Sequence, residues 1–97
     1  MVDKINICGV QYSIEELDTV DNDPMTLGLC VYSNAKIMVK KDLSKDRKNQ
    51  TFIHELTHAI AYEAGFDEQN EDVVNRFGKV LFQVLSENSL ADRKSTR

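Results

Sequence analysis

Two histidines occur in the chain, and both fall in one short run, His54-Glu55-Leu56-Thr57-His58. The run is an H-E-x-x-H match. Residues four apart on a helix share a face, so the two imidazoles can converge on one ion. Zinc accepts neutral histidine nitrogen at ~2.0–2.1 Å, and a catalytic zinc takes three protein ligands with one position left open. Glu55 follows His54 directly and points partly toward the same place, where a carboxylate can take a proton from water. The plainer reading is a solvated histidine pair on an amphipathic helix, with Ile53, Leu56 and Ile60 as its core face. That reading gives no reason for a glutamate at this register.

A third ligand must come from elsewhere, and with no third histidine it should be a carboxylate. Asp67, Glu68, Glu71 and Asp72 follow the motif. Glu71 stands at the inward-facing start of the next apolar stripe, which contains Val74 and Phe77/Gly78. Asp72 is rotated ~100° from it, and Asp67 and Glu68 fall in the connection. Asn75, one turn further, either accepts the second ring N–H of His54 or His58 or is a helix-surface asparagine, and the sequence favours neither. Tyr12, Tyr32 and Tyr62 are phenols that could face a developing oxyanion, Tyr62 being nearest by spacing. Cys8 and Cys30 read as small buried hydrophobes in strands.

The elements that must position these residues are legible in outline. Lys4–Ile7 and Val10–Ile14 flank Cys8-Gly9 and predict a hairpin, with Gly9 supplying the turn. Glu15–Thr26 is acidic, holds the only proline, Pro24, and reads as a loop. Leu27–Tyr32 and Lys36–Lys40, joined by Ser33-Asn34-Ala35, predict a second hairpin. Ser44 is an N-cap for a helix over Lys45–Ala64, and Gly65 suits its C′ position. Asn70 caps a second helix. Its expected apolar face is Val73, Val74, Phe77, Val80, Leu81, Val84 and Leu85, and Gly78 suggests close packing there. Strands followed by helices imply an α+β fold, a small antiparallel sheet packed on two helices. One domain over residues 1–87 and a flexible tail over 88–97 are expected.

Phe52–Ile60 followed by Asn70–Gly78 resembles the ImmA/IrrE group of zinc metallopeptidases, in particular the short versions carried by phages and prophages of Gram-positive bacteria. That family pairs H-E-x-x-H with an E-x-x-A-N-x-F-A run whose glutamate is the third zinc ligand. Here the run reads Glu71-x-x-Val74-Asn75-x-Phe77-Gly78, so the resemblance gives Glu71 that role. Gluzincin relatives carry an acidic residue where Asn75 stands. The resemblance extends through the Leu27–Lys41 hairpin to nearly all of the chain. It implies a zincin-like fold and a protein substrate, such as a phage or host regulator. No histidine is left over to serve as an oxyanion donor.

Composition narrows the alternatives. With 97 residues and 41% hydrophobic residues, the chain makes one small core, near the size where a bound metal helps folding. A formal net charge of −4 argues against nucleic acid as a partner. The basic stretch Lys40, Lys41, Lys45, Arg47 and Lys48 is broken by Asp42 and Asp46. No apolar run is long enough for a membrane span, no export signal is legible, and the sparse cysteines suit a reducing cytoplasm. The expectation is therefore a minimal metallopeptidase with zinc on His54, His58 and Glu71, and Glu55 as general base. A peptide substrate would lie along a sheet edge, for which Lys36–Lys41 is the candidate. The runner-up is a non-catalytic zinc-binding interaction module of phage or prophage origin, which needs the three ligands but no base. A metal-free structural α+β protein is the third reading.

Overall fold

A computed structural model of the chain describes residues 1–88. Four strands come first: β1 (Lys4–Ile7), β2 (Val10–Leu17), β3 (Gly28–Val31) and β4 (Lys36–Lys40). Two helices follow, α1 (Lys45–Glu63) and α2 (Glu71–Glu87). The β1–β2 hairpin turns through Cys8 (φ 53°) and Gly9 (φ 86°), the paired positive φ values of a tight hairpin turn. Cys8 is therefore exposed at a turn tip rather than buried in a strand. Beyond Asn88, the expected flexible tail lies outside the described residues.

The sheet is mixed, with strand order β1-β2-β4-β3. The two hairpins form as the sequence predicts, but they join through a parallel β2–β4 pairing, Ser13 opposite Lys36 and Leu17 opposite Lys40. This corrects two expectations. The sheet is not wholly antiparallel, and Lys36–Lys40 is an interior strand rather than an edge. The physical reason lies in Glu15–Leu17, which extends β2 instead of opening the loop. Glu15 pairs with Lys36 at 3.3 Å and Glu16 with Lys48 at 2.8 Å, so the acidic run is accommodated by lysines of β4 and α1. The loop proper is closed by Asp23, whose carboxylate accepts from the Met25 N–H and the Thr26 hydroxyl.

The core lies between the sheet and α1. Tyr12, Ile14, Ile37 and Val39 alternate inward from β2 and β4 and meet Ile53, Leu56 and Ala59. Burying each large aliphatic side chain stabilises the fold by ~1.5–3 kcal/mol. The Tyr12 hydroxyl donates to Glu63 Oε2 at 2.7 Å and ties β2 to the last turn of α1. That places Tyr12 in the core, not at an oxyanion.

Helix α2 packs on α1 and on no strand, giving three layers: sheet, α1, α2. The expected apolar face of α2 accordingly splits. Val74 and Gly78 are buried, and Leu81, Phe82 and Leu85 lean on the core. Val73, Phe77 and Val80 are exposed on the outer side. A single neighbouring helix covers only part of an apolar arc that wide.

Candidate metal centre

The site is built by a helical hairpin. Helix α1 starts where the Ser44 hydroxyl accepts from the Arg47 N–H at 3.1 Å. It ends in a Schellman turn: the Gly65 N–H donates to Tyr62 O, and the Phe66 N–H to Ala61 O. Gly65 takes φ 109° there, a conformation that disfavours any side chain. The chain reverses and Asn70 opens α2, its side-chain oxygen accepting from the Asp72 and Val73 N–H groups. Glu71 is thus the first residue of α2 and comes back beside the motif.

His54, His58 and Glu71 each offer a ligand atom, and these atoms all lie within 4.8 Å of one another. His54 Nε2 is 3.6 Å from Glu71 Oε1, and His58 Nε2 is 3.0 Å from Glu71 Oε2. Tetrahedral ligands at zinc distances stand ~3.3 Å apart, so the donor set fits that ion. Asp67, Glu68 and Asp72 are not part of the cluster; Asp72 instead pairs with Arg76 at 3.0 Å.

Gln69, absent from the sequence-based expectations, orients one member of the cluster. Its amide nitrogen donates to the Tyr32 hydroxyl (3.1 Å), His58 O (3.3 Å) and Phe66 O (3.3 Å). Its Oε1 therefore faces His58 Nδ1, at 2.7 Å, as an acceptor. The proton of a neutral His58 then sits on Nδ1, and the Nε2 lone pair faces Glu71. Two acceptors 3.0 Å apart are reconciled by a cation between them, or by a proton. Of the two readings of Asn75, the structure bears out the exposed helix-surface one: it makes no bond to a histidine ring and lines a neighbouring cleft. The signal for Gln69 was its place between the motif helix and the Asn70 cap.

Glu55 is not itself a member of the triad and is only 9% exposed. Strand β3 covers it closely: a Cβ at Gly28 would stand 3.2 Å from Glu55 Cγ and 2.6 Å from Thr51 Cγ2. Burial pushes its pKa up to about 7; the nearby His58 opposes this and Glu71 adds to it. That value suits a general base near neutral pH. Burial also lowers the pKa of His54, as does the neighbouring His58, while Glu71 raises it. Neutral imidazole is the ligand form.

A cavity of about 300 Å³ is lined by Gly28, Leu29, Cys30 and Tyr32 on one side and by His54, Glu55, His58 and Glu71 on the other. Tyr32, not Tyr62, is its phenol. Tyr62 stacks on Tyr32 with centroids 4.2 Å apart. The Tyr32 hydroxyl accepts from Gln69, which leaves its own proton to donate, and burial raises its pKa. Cys30 borders the cavity, but burial pushes its thiol up to about 12, so it stays protonated and is a poor metal ligand. No helix among the described residues is long and apolar enough to cross a membrane. Comparison of the chain with family models, with curated proteins and with solved structures gives no match.

Proposed function

We propose that the protein is a zinc-dependent metallopeptidase, similar in plan to the short phage and prophage members of the ImmA/IrrE group. The observation that carries this reading is a His54/His58/Glu71 donor set with the buried Glu55 carboxylate beside it. A binding module requires the first part only. Zinc at the triad would supply Lewis acidity to a peptide carbonyl and to water. Gln69 holds the His58 ring with its Nε2 lone pair forward. Glu55 takes the proton of the attacking water and returns it to the leaving amine as the C–N bond breaks. Tyr32 is the donor for the developing oxyanion.

The substrate is a protein segment in extended form. The outer side of β3 is the sheet edge nearest the site, since β3 ends the strand order and Gly28–Cys30 line the cavity. A peptide added there runs past the triad. The unpaired cysteines suit the reducing cytoplasm of a bacterial host.

The test is Glu55→Gln. It keeps size and all three ligands while removing the base, so hydrolysis of a peptide library should fall ~10²–10⁴-fold with zinc content unchanged. If wild type and variant both bind zinc and neither cleaves, the non-catalytic interaction module replaces this reading. Equal cleavage by both points to a contaminating protease and removes the support for Glu55.

A further inference from the structure

A second and larger cleft, of about 630 Å³, shares His54, Glu55 and Gly28 with the first and follows the seam between the helices. Its volume falls within the ~300–1,000 Å³ of clefts that hold small ligands. On α1 its wall is Arg47, Gln50, Thr51 and His54, one helix face spanning two turns. On α2 it is Asn75, Gly78, Lys79 and Phe82, at the same spacing. One end therefore opens on the metal triad. Arg47 stands roughly 10 Å from His54 along the α1 axis.

Two cations, Arg47 and Lys79, line this cleft together with one buried carboxylate, Glu55; among the described residues Lys4, Lys40 and Lys45 are also without a carboxylate partner. The chain is acidic, and Lys36, Lys41, Lys48 and Arg76 are each engaged by a carboxylate. Among the described residues, no carboxylate lies within ion-pair distance of Arg47 or Lys79. The Arg47 guanidinium bonds only to Gln50 Oε1, at 3.4 Å, which leaves most of its five donors unused. Leu27 and Phe82 supply apolar wall beside them.

We infer that this cleft is a specificity subsite for a carboxylate of the peptide substrate, held by Arg47 and Lys79 while the scissile bond lies at the triad. The inference rests on reading the triad as a peptide-hydrolysing centre. Extended chain advances ~3.3 Å per residue, so the carboxylate belongs two or three residues from the cut bond. An aspartate or glutamate side chain and a free C-terminus present the same group, and guanidinium and ammonium donors recognise both.

The test separates binding from turnover. The zinc-loaded Glu55→Gln protein is mixed with synthetic random heptapeptides, made once as free acids and once as C-terminal amides. Retained peptides are sequenced by mass spectrometry. Aspartate and glutamate should be enriched about tenfold over asparagine and glutamine at one position. Enrichment in both mixtures assigns the side chain; enrichment confined to the free acids assigns the C-terminus. Adding Arg47→Gln and Lys79→Gln together should abolish the preference, Arg47→Lys should retain most of it, and Lys79→Glu should shift it toward lysine and arginine. Melting temperature and zinc content of each variant report on its fold. The inference is overturned if no peptide is retained, if retained peptides lack the acidic preference, or if the double variant keeps it because acidic peptides ligate the metal instead. Wild-type protein is then given the selected peptides. Acid-selective binding without cleavage sinks the peptidase reading and leaves the subsite; cleavage without acid preference does the reverse.

Discussion

At the scale of single residues, the meeting of His54 and His58 was legible because two histidines four apart need only a helix to share a face. Gln69 was not, because its role depends on a reversal of the chain that no local pattern specifies. Its contribution can be measured. Gln69→Leu removes the acceptor at His58 Nδ1 and should weaken zinc binding ~10–100-fold, read by competition with a coloured chelator. Gln69→Glu restores an acceptor and should recover much of the loss. An unchanged affinity in Gln69→Leu would show that the His58 ring is oriented by something else. The cysteines give a second prediction. Cys8 is exposed and should alkylate readily, whereas Cys30, with its thiol near 12, should react at pH 8 ~10³-fold more slowly than an ordinary thiol. The raised value also fixes a sign. The folded protein holds the Cys30 proton more tightly than the unfolded chain. The stability this lends is complete below the ordinary value of 9.0 and is lost as pH rises toward 12. A denaturation midpoint that fails to fall across that window in wild type, relative to Cys30→Ala, would remove the claim.

At the scale of elements, the two caps, the Gly65 stop and both hairpins could be read from sequence because each is decided within a few residues. The β2–β4 pairing could not, since it joins segments separated by a loop and another strand, and the strands carry no mark of which edge they prefer. The split face of α2 escaped for a related reason: its apolar pattern does not say how many neighbours will cover it. The two helix-facing glycines make opposite predictions here. Gly28 lies where β3 crosses α1, and its Cβ would meet Thr51 Cγ2 at 2.6 Å and Met38 O at 3.2 Å. Gly28→Ala should cost ~1–3 kcal/mol, and adding Thr51→Ala should return part of it. Gly78 sees only Thr57 Oγ1 at 3.4 Å and His54 Cα at 3.8 Å, which is ordinary contact. Gly78→Ala should therefore be neutral or stabilise α2 by up to ~1 kcal/mol. Thermal melts of the apo proteins decide both, and a destabilised Gly78→Ala would mean a tighter helix seam.

At the scale of the whole molecule, α2 is a third layer resting on one helix, and the proposed metal ligands His54, His58 and Glu71 bridge the two. Zinc at 100 times its dissociation constant adds ~2.7 kcal/mol of stability, or roughly 10–20 °C in melting temperature for a domain of this size. Chelation should remove that increment in wild type and leave Glu71→Ala, which lacks the bridging ligand, little changed. A zinc-loaded wild type that melts at the apo temperature would show that the helices are not joined through the ion. The parallel pairing of β2 with β4 also bears on the order of assembly. It joins residue 13 to residue 36 across the β3 strand, and loop closure of that kind is slow. The candidate ligands, by contrast, all lie between residues 54 and 71 in one helical hairpin, so their convergence does not wait for the sheet. Glu55 is different, for its shelter from water comes from Gly28 at the start of β3. The candidate ligand set is thus complete within the helical hairpin, whereas the burial of Glu55 is complete only where the sheet meets α1. Loosening β3 from α1 would therefore open Glu55 to water and, on the proposed peptidase reading, weaken the base while leaving His54, His58 and Glu71 together.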